Sequence, residues 1–109
     1  MEIERAVTAL GALAQETRLA VFRLLVQTGP AGLAAGRIAD GLGVAPATLS
    51  FHLKELSHAG LVAARQDGRY VLYSANFSAM RGLLDYLTEN CCADSPSACC
   101  PTSIPETFP

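Results

Sequence analysis

The middle of this sequence predicts a mainly α fold with one β-hairpin, arranged as a winged helix-turn-helix that dimerises through its first and last helices. Three observations carry that expectation. Residues 37–60 hold two helical patterns separated by a glycine, and two extended runs around an Asp-Gly pair follow at once. The helices at either end carry apolar stripes that one small domain does not easily bury.

The first helix is expected from about Glu2 to Leu13, with Ile3, Val7, Leu10 and Ala14 at helical spacing. The second, about Glu16 to Gln27, is apolar on most sides (Leu19, Val21, Phe22, Leu24, Leu25, Val26), which places it in the core. Thr28-Gly29-Pro30-Ala31-Gly32 ends it by loss of helix propensity. From Arg37 to Leu42 a short helix sets Ile38 and Leu42 one turn apart, and Gly43 breaks it. Pro46 then occupies a first helical turn, where its missing N–H has no partner to lose. Leu49, Leu53 and Leu56 recur at i, i+4, i+7 as a buried stripe, with Thr48, Ser50, Phe51, His52 and Glu55 assigned to the other face. Two short helices joined by a glycine turn, the second with a polar outer face, fit a major groove; taken alone, the segment also suits an ordinary helical hairpin.

The runs Leu61–Arg65 and Arg69–Ser74 flank Gln66-Asp67-Gly68. Asp-Gly between alternating runs signals a tight hairpin. A hairpin directly after a recognition helix is a wing. Asn76 is positioned to cap the last helix, expected from Phe77 to about Asn90. Its Phe77, Met80, Leu84 and Leu87 share a face, with Leu83 beside them; this stripe and that of Ile3, Val7 and Leu10 either pack on the chain's own core or together form a dimer surface. A two-fold dimer sets two recognition helices about one DNA turn apart, which suits an inverted-repeat operator of double-stranded DNA.

At 109 residues the chain holds one domain: a winged helix-turn-helix over 1–90 for DNA binding and dimerisation, then a cysteine-containing tail over 91–109. Half the residues are apolar, and a core of this size gains from a dimer partner. The apolar runs are too short to span a membrane. The acidic, amphipathic start Met1-Glu2-Ile3-Glu4-Arg5 is unlike a secretory signal, so the expected location is the cytoplasm, where thiols stay reduced. Net charge is −2, but between Arg37 and Arg81 five basic residues face three acidic ones. A mildly positive reading surface on an acidic chain predicts specific binding with weak non-specific affinity. The candidate DNA contacts are Arg37, Pro46, Ala47, Thr48, Ser50, Phe51, His52 and Lys54, with Arg65 and Arg69 on the wing.

All four cysteines lie within ten residues of the tail: Cys91, Cys92, Cys99 and Cys100. A pair at a helix end, a six-residue loop with Pro96 and Ser97, and a second pair let the chain fold back on itself. Trivalent arsenic and antimony are thiophilic and take three thiolates, so Cys91, Cys92 and one of Cys99 and Cys100 suffice, Cys99 closing the shorter loop. The same residues leave open zinc, which prefers other spacings, a thiol redox or persulfide switch, and no sensing role. None of the cysteines sits in a phosphate-cradling loop or beside a positioned base, so no catalytic residue is assigned and an enzyme is not expected. No cofactor is needed for folding; As(III) or Sb(III) enters as an inducer.

The run from Leu13 to Leu25, LAQETRLAVFRLL, resembles the opening signature of the ArsR family of bacterial repressors. Ala45 to Leu56, APATLSFHLKEL, is similar to that family's recognition helix, and Ala59–Val62 with Gly68–Tyr73 to its wing. The resemblance covers roughly residues 5 to 90. It implies a dimeric, operator-binding repressor, and so favours the dimer surface for the stripes of the first and last helices. It does not name the inducer, since members sense zinc, cadmium, arsenic, antimony, sulfide or nothing. The Cys-x-Cys that many arsenic sensors carry in the first helix of the helix-turn-helix is missing from Ala34–Gly43. The Asp and His pairs of the zinc sensors are missing too, the last helix offering only Asp85 and Glu89. A subgroup of arsenic-responsive members places its cysteines just after the last helix, as this chain does.

Overall fold

The computed structural model describes residues 1–94. Helices α1 (Ile3–Leu13) and α2 (Glu16–Thr28) lead through β1 (Leu33–Ala34) into α3 (Ala35–Leu42) and α4 (Pro46–His58). The hairpin β2 (Val62–Asp67) and β3 (Tyr70–Ala75) follows, then α5 (Phe77–Thr88). The winged helix-turn-helix is therefore as expected, and the expected helix limits agree to within two residues.

The most deeply buried side chains are Val21 and Leu25 of α2, Ile38 of α3, Leu49 and Leu56 of α4, and Leu61. The core thus lies directly beneath the α3–α4 pair and fixes its orientation. Helix α2 begins with the Gln15 side chain accepting the Arg18 N–H at 2.9 Å, a cap for one of the unpaired amides of the first turn. It is less enclosed than its composition predicts, because Leu19 faces solvent.

Helix α1 has two apolar sides. Ala6 and Ala9 are buried, and their small side chains let the helix lie close on the core. The expected stripe of Ile3, Val7 and Leu10 is the other side and is exposed. In α5 the expected face divides. Leu83 is buried, while Phe77 and Met80 pack half-buried against the chain's own core. Only Leu84 and Leu87 face outward, 46% and 55% exposed. The cause is the bend at Asn76, whose side chain donates to the Gly60 carbonyl (2.9 Å) and accepts the Ala79 N–H (3.1 Å), drawing the first turn of α5 inward.

The sheet holds a strand the sequence did not suggest. β1 pairs antiparallel with β3, giving the order β1-β3-β2 and the pairs Leu33↔Tyr73 and Ala34↔Leu72. Gly32 makes this possible. Its φ is +76°, and a Cβ there would lie 2.6 Å from the Tyr73 carbonyl oxygen. In the hairpin, Asp67 pairs with Tyr70, so the two-residue loop is Gly68-Arg69. Asp67 belongs to the strand, not the turn. Gly68, at φ +62°, supplies the positive φ that a loop with glycine in its first position requires.

Candidate nucleic-acid interface

Helices α3 and α4 are joined by a turn that their sequence dictates. Gly43 takes the left-handed conformation (φ 65°, ψ 36°), and the Val44 N–H reaches back to the Ala39 carbonyl at 3.0 Å. This six-residue closure satisfies a carbonyl at the end of α3 and turns the chain sharply. Ala45 is extended and Pro46 opens α4. No side chain caps that helix, so its first-turn amides stay available to an acceptor from outside.

Along α4 the buried residues are Leu49, His52, Leu53 and Leu56. The exposed residues are Pro46, Ala47, Thr48, Ser50, Phe51 and Lys54, all expected as DNA contacts, together with Ser57 and His58. Glu55 is half-buried. The exposed surface of the first two turns thus offers two hydroxyls, an aromatic ring and an ammonium, with no acid in the first turn. Arg37 is exposed on α3.

His52 is the exception. The sequence pattern assigned it to the outer face; it is instead 8% exposed, inside the core. Position 52 is three residues after Leu49 and four before Leu56, so it belongs to the same helical face as those leucines. Its polar ring is accommodated by Arg18 of α2, whose Nη1 lies 3.5 Å from His52 Nδ1. A guanidinium has no acceptor, so in this contact Arg18 donates and Nδ1 accepts. Arg18 is itself anchored by Nε donating to the Ala12 carbonyl. Arg18 was not among the expected site residues, and nothing in the sequence of α2 distinguishes it from Arg23 on the same helix. His52 is therefore not a base-reading candidate.

On the wing, Arg69 sits in the loop and Arg65 on β2, both exposed. Arg65 Nη2 donates to the Ala31 carbonyl at 3.2 Å, a surface bond within reach of exchange for a phosphate. Beside Arg69, Tyr70 is exposed as well, which its place in an apolar run did not suggest.

Beyond α5 the chain passes into turns, with Asn90 and Cys92 at positive φ. The Cys91 N–H donates to the Thr88 carbonyl at 3.0 Å. Cys91 and Cys92 are exposed and their Sγ atoms lie 3.6 Å apart. Cys99 and Cys100, the expected sources of a third sulfur, lie outside the described residues. Among the described residues no group of three or more His, Cys, Asp or Glu side chains gathers at a metal-binding spacing. No described helix is long and apolar enough to cross a membrane.

The sequence pattern of a helix-turn-helix domain family matches residues 13–65. An uncharacterized HTH-type transcriptional regulator of Bacillus subtilis, YceK, is 40% identical over 58 residues, 53% of this chain and 57% of that protein. Among solved structures, HlyU from Vibrio cholerae is 33% identical, with TM-score 0.64 over 80% of this chain and 97% of its own. An ArsR-like transcriptional regulator from Rhodococcus sp. RHA1 superposes with TM-score 0.70 at 27% identity, over 78% and 77% of the two chains. The chain belongs to the ArsR family of winged helix-turn-helix regulators. Its relatives in that family are DNA-binding regulators of transcription and not enzymes. One, from Mycobacterium bovis, is described as a homodimeric winged helix-turn-helix DNA-binding domain of a possible ArsR-family regulator; it is 28% identical with TM-score 0.65, over 81% and 82% of the chains. Another, described as a possible transcriptional regulator for arsenical resistance, is 29% identical with TM-score 0.60, over 73% and 83%.

Proposed function

We propose that this ArsR-family chain is a cytoplasmic homodimeric repressor of an inverted-repeat operator, released when trivalent arsenic or antimony binds its C-terminal thiolates. The ligands are Cys91, Cys92 and one of Cys99 and Cys100, with Cys99 favoured by its shorter loop. The observation that carries the reading is the pair of exposed sulfurs 3.6 Å apart, one turn beyond the outward-facing Leu84 and Leu87 of α5. Two of three soft ligands are thus adjacent before the inducer arrives. The exposed apolar sides of α1 and α5 support the dimer, since such surface on a small chain marks an association face. So does the homodimeric relative.

The sulfurs are at the end of the last helix, not on α4. Release therefore works by population shift: gathering the thiolates reshapes the end of α5 and disfavours the DNA-competent dimer. By linkage, operator DNA weakens metalloid binding by the same factor that metalloid weakens DNA binding.

The same sulfur pair suits a second reading, a repressor of this fold released by thiol oxidation or persulfide formation. Titrating the protein–operator complex with arsenite, antimonite, peroxide and polysulfide in separate arms distinguishes the two. Release by the metalloids alone is the expected result. Cys91→Ser or Cys92→Ser keeps repression and loses release, and a chain ending at Asn90 represses constitutively. Release of that shortened chain by arsenite would refute the tail as the sensor.

A further inference from the structure

Phe51 is a phenyl ring, 56% exposed, on the face of α4 assigned to DNA. Of its exposed neighbours on that helix, Thr48, Ser50 and Lys54 are polar, and Ala47 presents only a methyl group. The three polar side chains can bond base edges or phosphates; a phenyl ring can do neither. The ring is also held in place. His52 packs against it edge-to-face, centroids 5.6 Å apart and planes at 64°. His52 in turn is buried and bonded to Arg18. An aromatic side chain fixed by a buried neighbour and aimed outward from a recognition helix is a preformed apolar contact.

In the major groove the base edges present donors and acceptors, with one apolar group among them, the C5 methyl of thymine. We propose that Phe51 is a specificity-determining residue that reads a thymine by packing on this methyl group, one T·A pair in each half-site. The inference rests on the operator-binding reading above and adds to it a base identity. Ser50 and Thr48 then supply the hydrogen bonds that flank this contact.

The test uses the full chain and a duplex selected by it from a random pool, with each thymine replaced singly by uracil, which removes only the methyl. The expected result is one position per half-site where uracil weakens binding by roughly fourfold, the worth of one buried methyl, and by roughly fifteenfold when both half-sites are changed. Phe51→Ala, assayed at low salt so that phosphate contacts keep it bound, becomes indifferent to uracil at that position. Circular dichroism confirms that this surface variant is folded. Equal binding of the thymine and uracil duplexes by the parent protein overturns the assignment while leaving operator binding intact. Discrimination that persists in Phe51→Ala assigns the methyl to another residue and equally overturns it. A parent chain that selects no duplex overturns the operator-binding reading, and this inference with it.

Discussion

Leu84 provides the sharpest test of the proposed assembly. It sits on the outward side of α5 at 46% exposure, so about half of its side chain is already packed within one chain. Fully burying a leucine stabilises by about 1.5–3 kcal/mol, and covering the exposed half therefore contributes roughly 1 kcal/mol. A two-fold interface uses the same surface on both copies, so Leu84→Ala removes about 2 kcal/mol from the dimer, roughly a thirtyfold rise in its dissociation constant. Leu84→Asp goes further, because a carboxylate buried without a partner costs several kcal/mol; that variant should be monomeric and fail to bind the operator. Sedimentation equilibrium over a range of concentrations reads both. Urea unfolding of each variant separates loss of assembly from loss of fold. A parent protein that sediments as a monomer at micromolar concentration, or a Leu84→Ala variant with an unaltered dimer constant, would show that this face does not join two copies.

On α4, replacing Ser50 and Thr48 together by alanine should weaken operator binding by about 1–3 kcal/mol for each hydrogen bond to a base that disappears, with the fold intact; fluorescence anisotropy measures it, and unchanged affinity counts against this helix as the reader. Arg65→Ala with Arg69→Ala should lower the salt dependence of DNA binding by roughly two ion equivalents per subunit, whatever the duplex sequence. A slope equal to the parent's places the wing off the phosphates. His52→Ala should reduce the unfolding free energy by about 1–3 kcal/mol, because it empties the space of a buried ring and removes the acceptor of Arg18 Nη1, while Arg18 Nε keeps the Ala12 carbonyl. The shift in urea midpoint reports this, and a midpoint unmoved would deny the Arg18–His52 bond a structural role.

The parts of the fold that were legible in the sequence are those that the backbone enforces locally. Gly43 had to end α3 because it adopts a left-handed conformation, Pro46 had to begin α4, and Gly68 had to turn the wing. Each acts within a few residues, so each left a readable mark. The misplaced features depend on partners distant in the chain. β1 is two residues long and exists only because Gly32 lets the backbone approach Tyr73, forty-one positions on. Phe77 and Met80 shared a stripe with Leu84 and Leu87, yet the Asn76 clamp on Gly60 committed the first pair to the chain's own core. The vicinal cysteines were legible as a pair, but their sulfurs' 3.6 Å separation was not: neighbouring side chains on a strand point to opposite faces, and here the turn after α5, with Cys92 at positive φ, brings them to one side.

His52 is the instructive failure, because the rule that misplaced it is sound. Polar residues do belong on the outer face of a helix in most positions, whereas helical spacing alone puts position 52 with the leucines. Polarity and spacing conflict there, and the residue that settles the conflict, Arg18, is thirty-four positions away on another helix. The bond also has a consequence for the site. An apolar stripe tolerates small rotations of its helix, since dispersion forces are numerous and weakly directional. A hydrogen bond between two packed helices tolerates less, because its energy falls steeply with angle and distance. The Arg18–His52 bond therefore limits how far α4 can roll on α2. Rolling α4 would change which of Thr48, Ser50 and Phe51 meets the groove. A polar pair at the edge of the core thus bears on what the exposed face presents, and His52, buried beneath that face, acts on it through the orientation it imposes on α4.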